Sequence, residues 1–347
     1  MIRRLSIVLL CLILLLGVAS FAVWYWMEGR MQQGFAAWQQ SMAAQGWSVQ
    51  AAGEARGGWP LAADLSLDDF SMTGGADDLP GGASYTAERL TIRLDLLQPT
   101  LVTVLCRGRQ SVRVGANAAL PFTAERFNIA VPIAQGTPPT SAALDAKTVS
   151  FAAPAEGLTI GLLQGQADWH AAAAAPHVVG IRLSAEAITL PPPPARQAAL
   201  GPHIASATIE GTVAGTLPPN PAGPTAAAAG WRDSGGAVDL HHIAVGWGPL
   251  GVTGTATFKL DAALQPDASA TLRLVGIDET LSALAAGHVI TPRAAQTAKA
   301  VAGLVVHASE GGGAAGVEVP VTLHDGSVSL GMFPLATVGK LHWPDAP

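Results

Sequence analysis

Leu90-Thr91-Ile92-Arg93-Leu94-Asp95 sets apolar and polar side chains in strict alternation. Successive side chains of a strand point to opposite faces, so this stretch is predicted to be a β-strand with one face on a core and the other in water. The same alternation returns at 112–114, 127–131, 148–151, 181–190, 207–213, 238–245, 252–260, 270–274, 317–323 and 327–330. Several of these runs are separated by turn punctuation such as Gln98-Pro99, the prolines from Pro191 to Pro194, and Asp325-Gly326. His324-Asp325-Gly326-Ser327, lying between two alternating runs, is a hairpin sequence.

A short unit also recurs. Ala87-Glu88-Arg89-Leu90-Thr91-Ile92 is matched by Ala185-Glu186-Ala187-Ile188-Thr189-Leu190 and more loosely by Ala146-Lys147-Thr148-Val149-Ser150-Phe151. One strand type reused across a sheet, or chance likeness among alternating Ala-rich strands, would produce it.

With 347 residues, 39 of them Gly and 25 Pro, the chain can bury a sizeable core and make many turns. Only 13% of residues are charged while 49% are hydrophobic, which is not a disordered composition. Two helical segments stand out from the alternation. From Glu28 to Gln45, Phe35, Trp38 and Met42 share one stripe, and Gly46 is placed to end the helix. Residues 278–304 form the second, with Thr291-Pro292 opening a further helix whose apolar face is Ala295, Ala298, Val301 and Leu304.

The N-terminus carries an anchor pattern. Arg3 and Arg4 precede an uncharged apolar run from Leu5 to Met27 that ends in Trp24-Tyr25-Trp26. Such a run is long enough to cross a hydrocarbon core of roughly 30 Å, with the aromatic rings at the far interface. Positive charge at its start predicts a cytoplasmic N-terminus and an exported remainder. A cleaved signal peptide, cut after Ser20 and Ala22, is the competing reading; the length of the run and its aromatic end favour a retained anchor.

The predicted fold class is mainly β (α+β): an N-terminal transmembrane helix with a helical stalk, then a large antiparallel β-rich domain of curved sheets with a few helices. The expected divisions are anchor 1–27, stalk 28–46, a first β-rich region 47–216, a Pro/Ala/Gly linker or loop 217–230, and a second β-rich region 231–347. Setting aside Arg3 and Arg4 leaves 17 Lys and Arg against 25 Asp and Glu, so the exported part is anionic and no nucleic-acid partner is expected.

Catalytic chemistry has little to stand on. Of two cysteines, Cys11 lies in the apolar run and Cys106 reads as a small buried hydrophobe. His241-His242 adjoin within a predicted strand, so they should face opposite ways. Asp168 and His170 share a strand face, which could orient a base, yet no nucleophile accompanies them. Asp68-Asp69 and Asp77-Asp78 are turn-like acidic pairs without a calcium loop, and Gly311-Gly312-Gly313 lacks the setting of a phosphate cradle. No catalytic, cofactor or metal residue is therefore assigned. The abundance of apolar residues in a β domain suggests either an ordinary covered core or a groove for acyl chains.

The C-terminal half carries a recognisable pattern: Gly235-Gly236-Ala237-Val238-Asp239-Leu240, Trp247-Gly248-Pro249-Leu250, Thr253-Gly254-Thr255, Leu264-Gln265-Pro266-Asp267 and Asp325-Gly326-Ser327. With Gly58-Trp59-Pro60-Leu61 and an N-terminal membrane helix, it resembles the bacterial family catalogued as domain of unknown function 2125. These are turn-and-strand signatures, with Trp247, Pro249 and Leu250 setting a strand corner and Gln265-Pro266-Asp267 a hairpin. The architecture is more distantly similar to AsmA-type envelope proteins, which implies lipid handling or outer-membrane assembly. The expected function is a non-enzymatic periplasmic protein held in the inner membrane. Its partners would be the inner-membrane bilayer and a lipid or another envelope protein. The alternatives are a scaffold for such a protein and, behind it, a periplasmic hydrolase.

Overall fold

The computed structural model describes residues 2–75, 82–115, 117–134, 139–169, 178–191, 198–216, 218, 223–306, 316–331, 333–341 and 343, with side chains throughout except at 2–13, 16, 198, 301–306 and 333–335. A long helix α1 (Ile2–Ala44) leads into seventeen described strands. These are β1 (Ser48–Gln50), β2 (Gly53–Gly57), β3 (Ala62–Gly74), β4 (Ala83–Asp95), β5 (Leu101–Val114), β6 (Leu120–Thr123), β7 (Arg126–Pro132), β8 (Ser141–Phe151) and β9 (Thr159–Trp169). They continue as β10 (Val178–Thr189), β11 (His203–Ala214), β12 (Ala237–Trp247), β13 (Leu250–Leu260), β14 (Pro266–Val275), β15 (Gly316–His324), β16 (Ser327–Leu330) and β17 (Phe333–Thr337). Helix α2 (Pro224–Asp233) joins β11 to β12, and α3 (Ile277–Ala286) and α4 (Pro292–Val306) join β14 to β15.

All the strands belong to one antiparallel sheet in which each pairs with its neighbour in sequence, an up-and-down meander. Two of its rungs are broken strands: β1 and β2 both pair with β3, and β6 and β7 both lie between β5 and β8. A meander needs only local turns, which is why Gly and Pro are so frequent. The sheet runs without a break through the segment expected to be a linker. Ala214 of β11 pairs with Ala237 of β12, and between them Pro224 opens a helix whose Ala227 and Ala228 are buried. Proline suits the first helical turn and the alanines favour the helix, so a Pro/Ala/Gly composition that resembled a linker folds instead.

Helix α1 ends in a glycine cap. Gly46 has φ +77°, Trp47 N donates to Met42 O at 2.9 Å and Gly46 N to Ala43 O at 3.1 Å. From Glu28 the helix runs to Ala44, and it does not stand free as a stalk. Phe35 is buried with Leu65, Leu67, Phe70, Leu90 and Cys106, and Met31 packs beside it, so this stretch of helix roofs the first strands of the sheet. A smaller cluster of Phe122, Ala146 and Val149 continues the core. Of the anchor's apolar run, the side chains of Leu5 to Ile13 and of Leu16 lie outside the described ones. Among the described residues, no helix is long and apolar enough to cross a membrane.

Three alternating strands carry a phase slip. In β8 the apolar positions are Ala146, Val149 and Phe151, and in β10 they are Ala185 and Ile188. Thr148 (φ +51°) and Ala187 (φ +52°) stand at the slip, each in left-handed conformation and skipped by the pairing, while the register is the same on either side. Both oppose Gly161, where an added Cβ would come 2.9 Å from Ala187 Cβ. Asp69 (φ +49°) makes the same slip in β3, between Leu67 and Phe70. The recurring unit at 146–151 and 185–190 is thus one strand type with a left-handed residue, used twice, whereas the similar 87–92 belongs to β4, which runs the opposite way.

Candidate functional site

Period-two alternation, carried through the strand registers, sorts the sheet into two unlike faces. Starting from Leu65 and stepping across paired residues, one row reads Ile92, Val104, Ile129, Leu144, Gly165, Leu183, Ile209, Ile243, Gly254, Leu272 and Val319. It crosses twelve strands without a polar side chain. A parallel row passes through Leu163, Ala185, Ala207, Val245, Val252, Leu274 and Val317. At roughly 4.8 Å between strands, the apolar face extends about 50 Å.

The opposite face is closed by cross-strand charge pairs. Arg93 grips Asp64 with two bonds of 2.8 and 2.6 Å, Arg89 meets Asp68 at 2.7 Å, and Arg182 meets Glu210 at 2.9 Å. Arg126 pairs with Asp145, and His324 with Asp267 at 2.7 Å. Opposite charges facing one another across strands stabilise a solvated face. A shallow depression of about 460 Å³ on this side is lined by Thr103, Asn128, Ala130, Ala143, Asp145, Gln164, Gln166, Arg182 and Ser184, with Leu144 and Gly165 at its floor.

Cover over the apolar face is uneven. Beneath α1, Leu65 and Leu67 are fully buried. From Ile129 to Val319 no residue of the first row is buried, and Leu183 is 40% exposed. Helices α3 and α4 touch β13 and β15, where Val317 and Ala295 are buried. A single sheet with a half-covered apolar face about a dozen strands wide is the feature of this molecule that calls for a ligand or a covering surface.

The polar groups under α1 are structural in kind. Tyr85 donates to Gln110 Oε1 at 2.6 Å inside the core, and burial pushes both the Tyr85 hydroxyl and the Cys106 thiol upward in pKa. Cys106 is therefore the inert, buried residue expected. Glu28 is fully buried where α1 meets β2 and β3.

The turn motifs occupy the strand corners expected of them. Trp247 pairs with Leu250 across Gly248-Pro249, and Trp247 Nε1 donates to Gly201 O at 2.9 Å. Pro266 opens β14 after a turn in which Asp261 N donates to Gln265 O at 2.9 Å. The Gln265 side chain also donates from Nε2 to Leu341 O at 3.1 Å and accepts at Oε1 from Leu341 N at 2.8 Å. Asp325 and Gly326, at φ +49° and +72°, form the β15–β16 turn, and Trp59-Pro60 lies between β2 and β3.

The match to known proteins begins where α1 first touches the sheet. Trp24 Nε1 donates to Gly57 O at 3.0 Å. From that residue to Val338, the chain fits the model of a family described as an uncharacterized protein conserved in bacteria, DUF2125. The chain belongs to the DUF2125 family. The family unit thus spans the lower part of α1 and the whole described sheet, and all the turn motifs lie within it. No curated protein and no solved structure matches the chain, so the AsmA-type likeness gains nothing from these comparisons.

His241 and His242 depart from expectation. The β12 register slips between Leu240 and Ile243, so alternation does not hold across the pair, and both side chains are exposed. His241 lies 3.8 Å from Glu210, and both histidines add to the effect of Arg182, whose hydrogen bond lowers the Glu210 pKa most. Asp68 is held by Arg89 while Asp69 is in left-handed conformation; Asp77-Asp78, His170 and Gly311 to Gly313 lie outside the described residues. Asp168 accepts from Gln166 at 3.1 Å. Among the described residues, no three His, Cys, Asp or Glu side chains gather as metal ligands would.

Proposed function

We propose that this is a non-enzymatic, inner-membrane-anchored protein of the bacterial envelope that holds the acyl chains of lipids against the apolar face of its sheet. The observation that carries the reading is the unbroken apolar row from Leu65 to Val319, half-buried or exposed at every position past β5. Exposed apolar surface of this extent favours an apolar occupant by about 25 cal/mol per Å² removed from water. Support for the anchor comes from α1 continuing as one helix to Ile2, past its first contact with the sheet at Trp24. Leu14, Leu15, Val18, Phe21 and Val23 are all exposed on that extension, and Arg3 and Arg4 would hold its start in the cytoplasm.

The test uses the full chain, transferred from detergent to amphipol and washed free of loose lipid. It is expected to retain diacyl lipid detectable by mass spectrometry. Leu183→Glu combined with Ile209→Glu should lose most of that lipid, because a charge against hydrocarbon is costly. Gln166→Glu on the polar face should keep it. Equal retention by the apolar-face variant, with unchanged circular dichroism, would contradict the reading.

A further inference from the structure

Two turns close the same end of the sheet. Gly58-Trp59-Pro60-Leu61 links β2 to β3, with Ala62 N donating to Gly58 O at 3.0 Å. Residues 96–100 link β4 to β5, and Leu96 N donates to Leu61 O at 3.0 Å, so the two turns lie side by side. Helix α1 leaves the sheet here. Trp24 Nε1 binds Gly57 O at 3.0 Å and Ser20 Oγ binds Pro60 O at 3.4 Å. At 1.5 Å per residue, the helix N-terminal to Ser20 continues well beyond both turns.

Large apolar side chains collect at this level. Trp59 is 52% exposed, Leu61 70% and Leu97 90%. On the helix, Phe21, Tyr25 and Trp26 are also more than half exposed, and the Arg30 guanidinium sits 5.7 Å over the Trp26 ring. One exposed leucine is ordinary. Three apolar residues on adjoining turns, level with an aromatic girdle and a cation, form the composition of a membrane–water interface.

We propose that the β2–β3 and β4–β5 turns make a second membrane contact, with Trp59, Leu61 and Leu97 inserted in the interfacial layer of the leaflet from which α1 emerges. The occupant is the lipid surface, argued from continuity with the helix that the turns touch. The inference rests on the anchored reading above. It adds that the sheet is held end-on to the bilayer, with its first strands at the lipid surface.

The experiment places nitroxide labels on the full chain in vesicles of phosphatidylethanolamine and phosphatidylglycerol, in a Cys11→Ser background, one label at a time. Leu61→Cys and Leu97→Cys test the contact and Val18→Cys tests the anchor. Val114→Cys marks the other end of β5, where the native side chain is 52% exposed. Labels at 61 and 97 are expected to relax with oxygen rather than with a water-soluble nickel chelate, and the label at 114 the reverse. Aqueous behaviour at either 61 or 97 overturns the proposal. The label at 18 reports separately: lipid-like there with an aqueous 61 or 97 leaves the anchor standing and removes only the contact.

Discussion

Glu28 is the residue most at odds with its surroundings. It is 0% exposed, and neither carboxylate oxygen completes a hydrogen bond of normal geometry. Burial raises its pKa above the ordinary value, while the amides at Gly57 and Asp64 and the charge of Arg56 offset this only in part. Because the folded state favours the protonated form, Glu28 is harmless below its unfolded value of 4.5 and costs stability as pH rises through the interval above it. Glu28→Gln is therefore expected to stabilise the protein at pH 7, by about 1 kcal/mol on the scale of a relieved buried polar group. It should also flatten the fall in melting temperature between pH 4.5 and neutrality; a lower melting temperature at pH 7 would count against this. His324 has the opposite sign. Its hydrogen bond to Asp267, helped by the nearby charge of Asp325, raises its pKa above 6.5. What it adds to the β14–β15 pair is present below that value and is lost as pH rises through the folded one. In an NMR titration, Asp267→Asn should bring His324 back toward 6.5. Neither residue was legible in the sequence, since a Glu in a polar helical stretch and a His beside a turn look solvated until the fold supplies their neighbours.

Left-handed residues act at the level of the strand. Ala187 occupies a left-handed position that costs an L-residue roughly 1–2 kcal/mol. Ala187→Gly should thus raise stability by up to about 1 kcal/mol in urea unfolding, whereas Gly161→Ala should lower it, because its new Cβ would meet Ala187 Cβ at 2.9 Å. The reverse order of stability would mean that Ala187 is not left-handed there. This much could be read in sequence: Ala146-x-x-Val149-x-Phe151 and Ala185-x-x-Ile188 already show alternation slipping by one residue. The His241-His242 pair hides a register shift between Leu240 and Ile243, and strict alternation gave it the wrong geometry. Other elements were legible to different depths. The hairpin at Asp325-Gly326 and the helix at Pro292 follow from local turn and cap chemistry. Strand β3 alternates as clearly as β4, with Leu65 and Leu67 between Asp64, Ser66 and Asp68, but its phase slip at Asp69 shortens each run. Helix α2 was masked by its resemblance in composition to a linker.

For the whole molecule, the mainly β class was visible in the alternating runs, while the single continuous sheet was not. Alternation tells each strand which residues share a face, but only the register aligns Ile92 with Val104 and Leu183 with Ile209. Composition allowed either a covered core or an apolar groove, and the covering depends on what lies over the sheet. Helix α1 covers the first strands, leaving the face from β7 to β15 half-covered. That face is therefore the proposed seat of an acyl chain. Photo-cross-linking tests this most directly: cells producing the full chain are fed a fatty acid bearing a diazirine near its methyl end, irradiated, and the adducts located by peptide mass spectrometry. Adducts are expected on apolar-face residues such as Leu144, Leu183, Ile209, Ile243 and Leu272, and none on Gln164, Gln166 or Arg182. Adducts confined to α1, or divided equally between the two faces, would contradict it.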